Sequence, residues 1–194
     1  FANCDNLKEI TIWNGTTSVD ITPYADPVLR NCVGEYMFSN CYNLSTKYIN
    51  RLIRNVTEIK DNAFYADKDN RPKFPEETDN TIIVIPSSVT KIGSLAFYNR
   101  VNVTGLTIHG ENNSSLAIGS EAFRGCEQLK DLSLDNAKIT SLGTGVFGDC
   151  RSMTNAFVNG VLENYAANGN IGENGKKKIP AYLFFGCNGQ DGHD

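Results

Sequence analysis

Large apolar residues recur along this chain in one fixed frame centred on phenylalanine. An aliphatic residue stands five positions before the phenylalanine, and a cysteine stands three positions after it in most copies. The phenylalanines in this frame are Phe1, Phe38, Phe64, Phe97, Phe123, Phe147 and Phe184. A frame that repeats over a whole chain is typical of a solenoid, in which each turn buries its apolar face against its neighbours.

Two short apolar sequence patterns in each copy, here called strand phrases, predict short strands. One follows the cysteine and ends in period-2 alternation, as in Leu129-x-x-Leu132-x-Leu134. It recurs at residues 7–12 and 103–108, and in weaker form at 44–49 and 153–158. The other phrase precedes the phenylalanine and contains β-branched residues, which favour extended backbone, at residues 56–59, 89–92 and 139–142. Between the phrases, we expect the phenylalanine to lie on a short helical turn and to point inward.

The spacing of the phenylalanines predicts the fold class. The shortest intervals lie within the range of leucine-rich repeats, which is about 20–29 residues. We therefore expect an α/β, strand-rich leucine-rich-repeat solenoid with parallel β-strands and about seven partial or complete coils. We expect one domain over residues 1–194 that forms part of a longer protein, because Phe1 falls in the middle of a copy.

The frame assigns most large side chains to the interior. The predicted repeat core contains Phe38, Phe64, Phe97, Phe123, Phe147, Phe184, Cys41, Cys126 and Cys150. The stacked cysteines are expected to be buried, reduced thiols, and a bridge from Cys32 to Cys4 or Cys41 is the alternative that spacing allows. Asp67 and Arg100 replace the cysteine in two consecutive copies. We expect both at a solvated edge, and a cross-turn ion pair is the alternative.

Longer intervals predict inserts on the rims of the solenoid. The inserts that begin at Trp13, His109 and Asn159 follow the same strand phrase, so they are expected on one rim. The charged insert from Ala66 to Asn80 precedes a strand and is expected on the opposite rim. Inserts collected on one side often form a binding face. The candidate partner-binding rim therefore contains Trp13, Tyr24, His109 and Tyr165. The alternative is that each aromatic closes its own insert over the edge.

Charge and motif content argue against most chemical functions. The net charge is −4, with 18 basic and 22 acidic residues, which does not favour nucleic acid. No apolar run approaches the about 20 residues that span a bilayer. The two histidines lack partners for zinc, and no nucleophile elbow, phosphate loop or calcium loop is present. We expect no catalysis, no metal and no cofactor.

The combined motif resembles the BspA-like family of leucine-rich repeats. The resemblance is carried by Ile-Gly-x-x-Ala-Phe-x-x-Cys-x-x-Leu-x-x-Leu-x-Leu at residues 118–134 and by Ile-Pro-Ser-Ser-Val-Thr-Lys-Ile-Gly at residues 85–93. It implies a surface or secreted protein of bacteria or protists that adheres to host proteins or cells. We therefore expect a non-enzymatic, cell-surface or secreted module that binds a protein ligand and does not insert into membranes. A structural spacer and a carbohydrate-binding module are the alternatives. Turns without caps also predict end-to-end self-packing.

Overall fold

The computed structural model describes residues 1–4, 7, 11–13, 18–20, 32–67, 81–111, 114–170, 175–176 and 178–187. The described elements are β1 (Thr11–Trp13), β2 (Ser18–Asp20), β3 (Cys32–Val33), α1 (Thr46–Ile53), β4 (Glu58–Ile59), β5 (Ile82–Ile85), β6 (Lys91–Ile92), β7 (Gly105–His109), β8 (Leu116–Ile118), β9 (Asp131–Asp135), β10 (Ile139–Leu142) and α2 (Asn155–Ala167). Most strands are short, because each one crosses a single side of a narrow coil.

Two parallel sheets run along the molecule. One has the order β10-β8-β6-β4-β3 and the other has the order β5-β7-β9. Every neighbouring pair in both sheets is parallel. Successive strands of the longer sheet are one turn of chain apart, so this sheet spans four turns. The predicted leucine-rich-repeat solenoid with parallel strands is confirmed.

The phenylalanines of the frame form a continuous ladder. Neighbouring rings lie 5.1–5.9 Å apart between centroids, at interplanar angles of 3–13°. The five ladder rings from Phe38 to Phe147 are fully buried, and Phe184 is half-buried. Backbone bonds join the turns at the same level, as in Phe97 N–H to the carbonyl of Ala122 at 2.8 Å. Stacked rings and paired amides therefore fix the register of the coil together.

The predicted helical turn around each ladder phenylalanine is wrong. These segments are tight turns in which the residue two positions before the ring is left-handed: Tyr36, Asn62, Leu95, Glu121, Gly145 and Tyr182. The residue two positions after the ring is also left-handed in most turns, and there Asn, Asp and Gly predominate. Left-handed residues on both sides bend the chain sharply, so its amides point along the solenoid towards the next turn.

Two of the predicted strands are helices instead. At residues 44–49 the chain forms the end of a turn and α1, which buries Tyr48, Ile49, Leu52 and Ile53 and begins at an N-cap, Ser45. At residues 153–158 it enters α2, whose inner face carries Phe157, Val161 and Tyr165 at helical spacing. Apolar residues at i and i+4 after a hydroxyl cap outweigh the weak alternation that indicated strands. The first strand phrase does form β1, but β1 pairs antiparallel with β2.

One asparagine of each helix hydrogen-bonds to the backbone of a nearby strand. Asn50 of α1 donates from Nδ2 to the carbonyl of Ile82 at 2.8 Å and accepts from the amide of Val84 at 2.9 Å. Asn164 of α2 repeats this geometry on the carbonyl of Ala137 at 2.8 Å and the amide of Ile139 at 2.9 Å. A side-chain amide thus takes the place of a neighbouring strand. It satisfies edge groups that would otherwise be available for pairing with another chain.

In five turns the side chain three residues after the ladder ring donates a hydrogen bond to the preceding turn. The thiols of Cys126, Cys150 and Cys187 point at the carbonyl of the previous ladder phenylalanine, with Sγ to oxygen distances of 3.4, 3.2 and 3.0 Å. Cys41 does the same to Phe1 at 2.9 Å. All six cysteines are free thiols, and Cys32 is among them.

Arg100 corrects the expectation of a solvated edge. Its side chain is 1% exposed, and Nε donates to the carbonyl of Phe64 at 2.7 Å while Nη1 donates to the carbonyl of Cys41 at 3.2 Å. Asp67 in the preceding turn is half-buried, and its amide donates to Asn40 Oδ1 at 2.8 Å. The guanidinium therefore makes the hydrogen bond that a column thiol makes in other turns. It also reaches a carbonyl one turn further away, because it carries several donors on a long side chain.

Candidate functional site

Of the predicted rim, the structure describes the side chains of His109 and Tyr165, and it places them in different surroundings. His109 is the last residue of β7, and its Nδ1 lies 3.1 Å from Asp135 Oδ2 on the neighbouring strand β9. Both side chains are exposed, so this contact lies on the outer surface of the shorter sheet. Tyr24 and the side chain of Trp13 lie outside the described residues.

Tyr165 belongs to the core and not to an exposed rim. It is 6% exposed and packs on the inner face of α2 together with Phe157, whose ring meets Phe147 edge-on at 5.3 Å. The first part of the insert predicted to begin at Asn159, as far as Ala167, is therefore the C-terminal part of this helix. The insert from Ala66 to Asn80 lies outside the described residues beyond position 67.

A different surface collects the exposed aromatic side chains. We define the outer turn face as the side chains two positions before and one position after the ladder rings. Its large members are Tyr36, Tyr65, Leu95, Tyr98, Glu121, Arg124, Tyr182 and Phe185. Tyr36, Tyr182 and Phe185 are 52%, 69% and 45% exposed, which places them among the most exposed large apolar residues described. Exposed aromatics of this kind are typical of protein contacts.

Two neighbouring side chains of the outer turn face stack as the ladder rings do. Tyr65 and Tyr98 lie 5.2 Å apart between ring centroids, at an interplanar angle of 9°. Arg124 occupies the next place in this column. Its Nε donates to Asp149 Oδ2 at 2.9 Å, and its Nη1 lies 3.3 Å from Glu121 Oε2. Partial burial opposes the charge of Arg124, but these two carboxylates outweigh it and raise its pKa, so the guanidinium stays charged.

A cleft interrupts the outer turn face at the turn that contains Phe147. It has a volume of about 250 Å³ and is lined by Glu121, Arg124, Thr144, Gly145, Gly148, Tyr182 and Phe185. Both outward positions of this turn are glycines, Gly145 and Gly148, so the turn contributes a floor and no wall. The preceding turn supplies the charged wall. The following turn supplies Tyr182 and Phe185, whose rings meet edge-on at 5.9 Å.

The arrangement favours binding over chemistry. Within the described ranges, no group of three or more His, Cys, Asp and Glu side chains could hold a metal ion. The described helices are too short or too polar to cross a membrane. The cleft lining contains one cation, one carboxylate and two aromatic rings, and it includes no histidine, cysteine or lysine. These groups supply charge and flat apolar surface to a ligand.

Comparison with protein families agrees with this geometry. A family model described as a BspA type leucine rich repeat region, with 6 copies, matches residues 69–169. The chain belongs to this family. The matched BspA-type repeats include the ladder rings Phe97, Phe123 and Phe147 and the glycine floor of the cleft. Tyr182 and Phe185 lie beyond the matched residues. Searches of curated proteins and of solved structures found no match.

Sequence reasoning missed the outer turn face, although the signal was present. The BspA-type frame was read at the phenylalanine, the cysteine and the strand phrases, all of which point inward. Read one position after each ladder ring from Phe64 onward, the same frame gives Tyr65, Tyr98, Arg124, Gly148 and Phe185. One glycine stands among four bulky residues in this column, and it marks the cleft.

Proposed function

We propose that this chain is a non-enzymatic protein-binding module that acts at a cell surface or in a secreted form and mediates adhesion. We further propose that residues 1–194 act as one solenoid unit. The observation that carries the proposal is the outer turn face, where Tyr36, Tyr182 and Phe185 are held exposed on a hydrogen-bonded scaffold. Membership of the BspA-type leucine-rich repeats supports it, because such repeats serve as protein-binding surfaces.

The stacked turns reduce the loss of conformational entropy on binding. Tyr182 and Phe185 sit on a turn whose carbonyls accept hydrogen bonds from amides of the turn before, as in Gly145 N–H to the carbonyl of Ala181 at 3.0 Å. Side chains on a backbone that is already ordered lose less conformational entropy when a ligand arrives. Aromatic residues also combine a large contact area with few rotatable bonds. A rigid row of aromatics is therefore suited to a protein ligand.

The proposal is tested by binding to a panel of purified extracellular matrix proteins, with a glycan array in parallel. The test variant combines Tyr182→Asn with Phe185→Ser. Asparagine is chosen at position 182 because the backbone there is left-handed, with φ 56°. The matched control combines Thr107→Ala with Ser133→Ala, on the outer surface of the shorter sheet. Circular dichroism melting establishes that both variants are folded.

We expect the aromatic variant to lose at least about tenfold in affinity for a matrix protein, as hot-spot residues do. The control should bind as the natural chain does. Binding to glycans alone would favour a carbohydrate-binding module. Absence of binding to every matrix protein and glycan would favour a spacer and would contradict the proposal.

A further inference from the structure

The cleft lies where one side chain is missing from a column of side chains. One position after successive ladder rings stand Tyr65, Tyr98, Arg124, Gly148 and Phe185. The first two rings are stacked at the spacing of the turns, 5.2 Å. Gly148 has no side chain, so the cleft lies open to the surface between Arg124, whose stem passes close to Gly148, and Phe185.

The size of the gap matches a single side chain. Its volume is about 250 Å³, below the roughly 300–1,000 Å³ of pockets that hold drug-sized ligands. The gap also has the thickness of one turn, since one turn alone lacks its outward side chains. Elsewhere in the column, an aromatic ring fills a place of this thickness.

The two walls select a flat, electron-rich group. Arg124 donates to Asp149 and Glu121 through N–H groups, which lie in the plane of the guanidinium, and these bonds do not use its faces. Phe185 on the other side is 45% exposed. A ring inserted at the level of Gly148 would meet a cation on one face and an aromatic ring on the other. Both contacts are favourable for an aromatic ring, whereas an aliphatic side chain gains neither.

Charge disfavours an anion in the same place. The positive charge of Arg124 is already shared between two carboxylates, Glu121 and Asp149. A phosphate or a carboxylate ligand would approach both of them and would have to compete for the guanidinium. A neutral ring meets no such opposition.

We infer that this cleft binds one aromatic side chain of a protein ligand, with its ring stacked between Arg124 and Phe185 so that the outer column is completed. This inference rests on the proposed function and names the part of the ligand that this site takes.

The test is a titration of the 15N-labelled chain with N-acetyl-tryptophanamide, followed by the amide shifts of Gly145 and Gly148. N-acetyl-leucinamide is the matched apolar probe without a ring. We expect saturable shifts at both glycines in the millimolar range with the tryptophan probe, and at least about fivefold weaker binding of the leucine probe. No shift at these glycines, or equal binding of the two probes, would overturn the inference.

A variant that fills the gap from within sharpens the test. A Cβ at Gly148 would lie 3.3 Å from the carbonyl oxygen of Gly145 and 3.4 Å from Arg124 Cγ, and the backbone is not left-handed, so Gly148→Phe needs only small adjustments. We expect Gly148→Phe to abolish the shift at Gly145. Gln128→Phe adds the same ring at an exposed position outside the cleft and should leave binding unchanged. Binding that survives in Gly148→Phe would overturn the inference.

A second variant keeps the test decisive if Gly148→Phe fails to fold. Arg124→Gln removes the cationic wall at a partly exposed position, where loss of an ion pair costs little stability. It should weaken the tryptophan probe by at least about fivefold, and unchanged binding would overturn the inference.

The failure of this inference is distinguishable from failure of the proposed function. If the probes do not enter the cleft but Tyr182→Asn with Phe185→Ser still abolishes binding of a matrix protein, the inference fails and the proposed function stands. If the tryptophan probe enters the cleft and no matrix protein binds, the cleft is a ring-binding site and adhesion fails.

Discussion

Arg100 Nε lies 2.7 Å from the carbonyl oxygen of Phe64, in the place that a cysteine thiol occupies in other turns. Cys126 Sγ makes the corresponding contact with Phe97 at 3.4 Å. A buried carbonyl needs a donor from the next turn, and either a weak thiol or a strong guanidinium can supply it. The column is therefore defined by hydrogen-bond donation and not by the cysteine residue itself.

Replacement of Arg100 by methionine should be strongly destabilising. Methionine fills much of the volume but donates nothing, so the carbonyls of Phe64 and Cys41 each lose a donor. A buried acceptor left without a donor costs about 1–3 kcal/mol. We expect Arg100→Met to lower the free energy of unfolding by about 2–5 kcal/mol in urea denaturation. Arg124→Met, at a partly exposed arginine, is the control and should cost less than about 1 kcal/mol. Equal losses in the two variants would show that Arg100 is not a structural donor.

Asn50 and Asn164, which bond the backbone of a nearby strand, are here called the asparagine clamps. Their contribution to stability should depend on the side-chain amide nitrogen. In Asn50→Asp an oxygen replaces Nδ2 and faces the carbonyl of Ile82, so a hydrogen bond becomes a repulsion. We expect a loss of about 1–3 kcal/mol, and the same for Asn164→Asp at Ala137. Asn55→Asp, at an exposed turn, should stay within about 0.5 kcal/mol of the natural chain. Thermal unfolding midpoints that do not separate the clamp variants from this control would contradict the assignment.

The column thiols should be chemically inert in the folded chain. Complete burial raises the pKa of Cys126 from 9.0 to about 12, because a thiolate there would be desolvated. At about pH 8, iodoacetamide should alkylate the exposed Cys4 and leave Cys126 unmodified, as read by peptide mass spectrometry. Rapid modification of Cys126 in folded protein would show that this column is open to solvent.

The same shift makes stability depend on alkaline pH. The folded-state pKa of Cys126 lies above the unfolded value, so the folded state holds the proton more tightly. Its contribution is fully present below about pH 9 and is lost as the pH rises towards about 12. Urea midpoints should therefore fall over this range, and less steeply in Cys126→Val. Parallel curves for the two proteins would exclude a role for this thiol.

The inward-facing part of the fold was predictable from the sequence. Phe97 and Phe123 stand in the same frame, and a fixed frame can bury its residues only if the turns stack. The alternation in Leu132 and Leu134 likewise predicted β9. Local pattern and tertiary packing agree at these positions, because each turn meets a neighbour of the same shape.

The remainder required the coordinates, because it depends on which turns deviate from the repeat. Phe157 and Val161 carry a helical spacing that competes with the strand phrase, and only packing against the ladder decides between them. Arg100 was expected at the surface because the sequence alone does not show that two backbone carbonyls lie within reach of its guanidinium. The cleft was not predicted because it arises from the absence of side chains at Gly145 and Gly148.

The central claim is that stacked rings hold the turns together, and Phe123→Ala tests it most directly. Phe123 is fully buried between Phe97 at 5.1 Å and Phe147 at 5.7 Å. Removing its ring should lower the free energy of unfolding by about 3–5 kcal/mol in urea denaturation. Phe185→Ala, which removes an exposed ring outside the ladder, should cost less than about 0.5 kcal/mol. A loss below about 1 kcal/mol for Phe123→Ala would contradict the ladder as the source of stability.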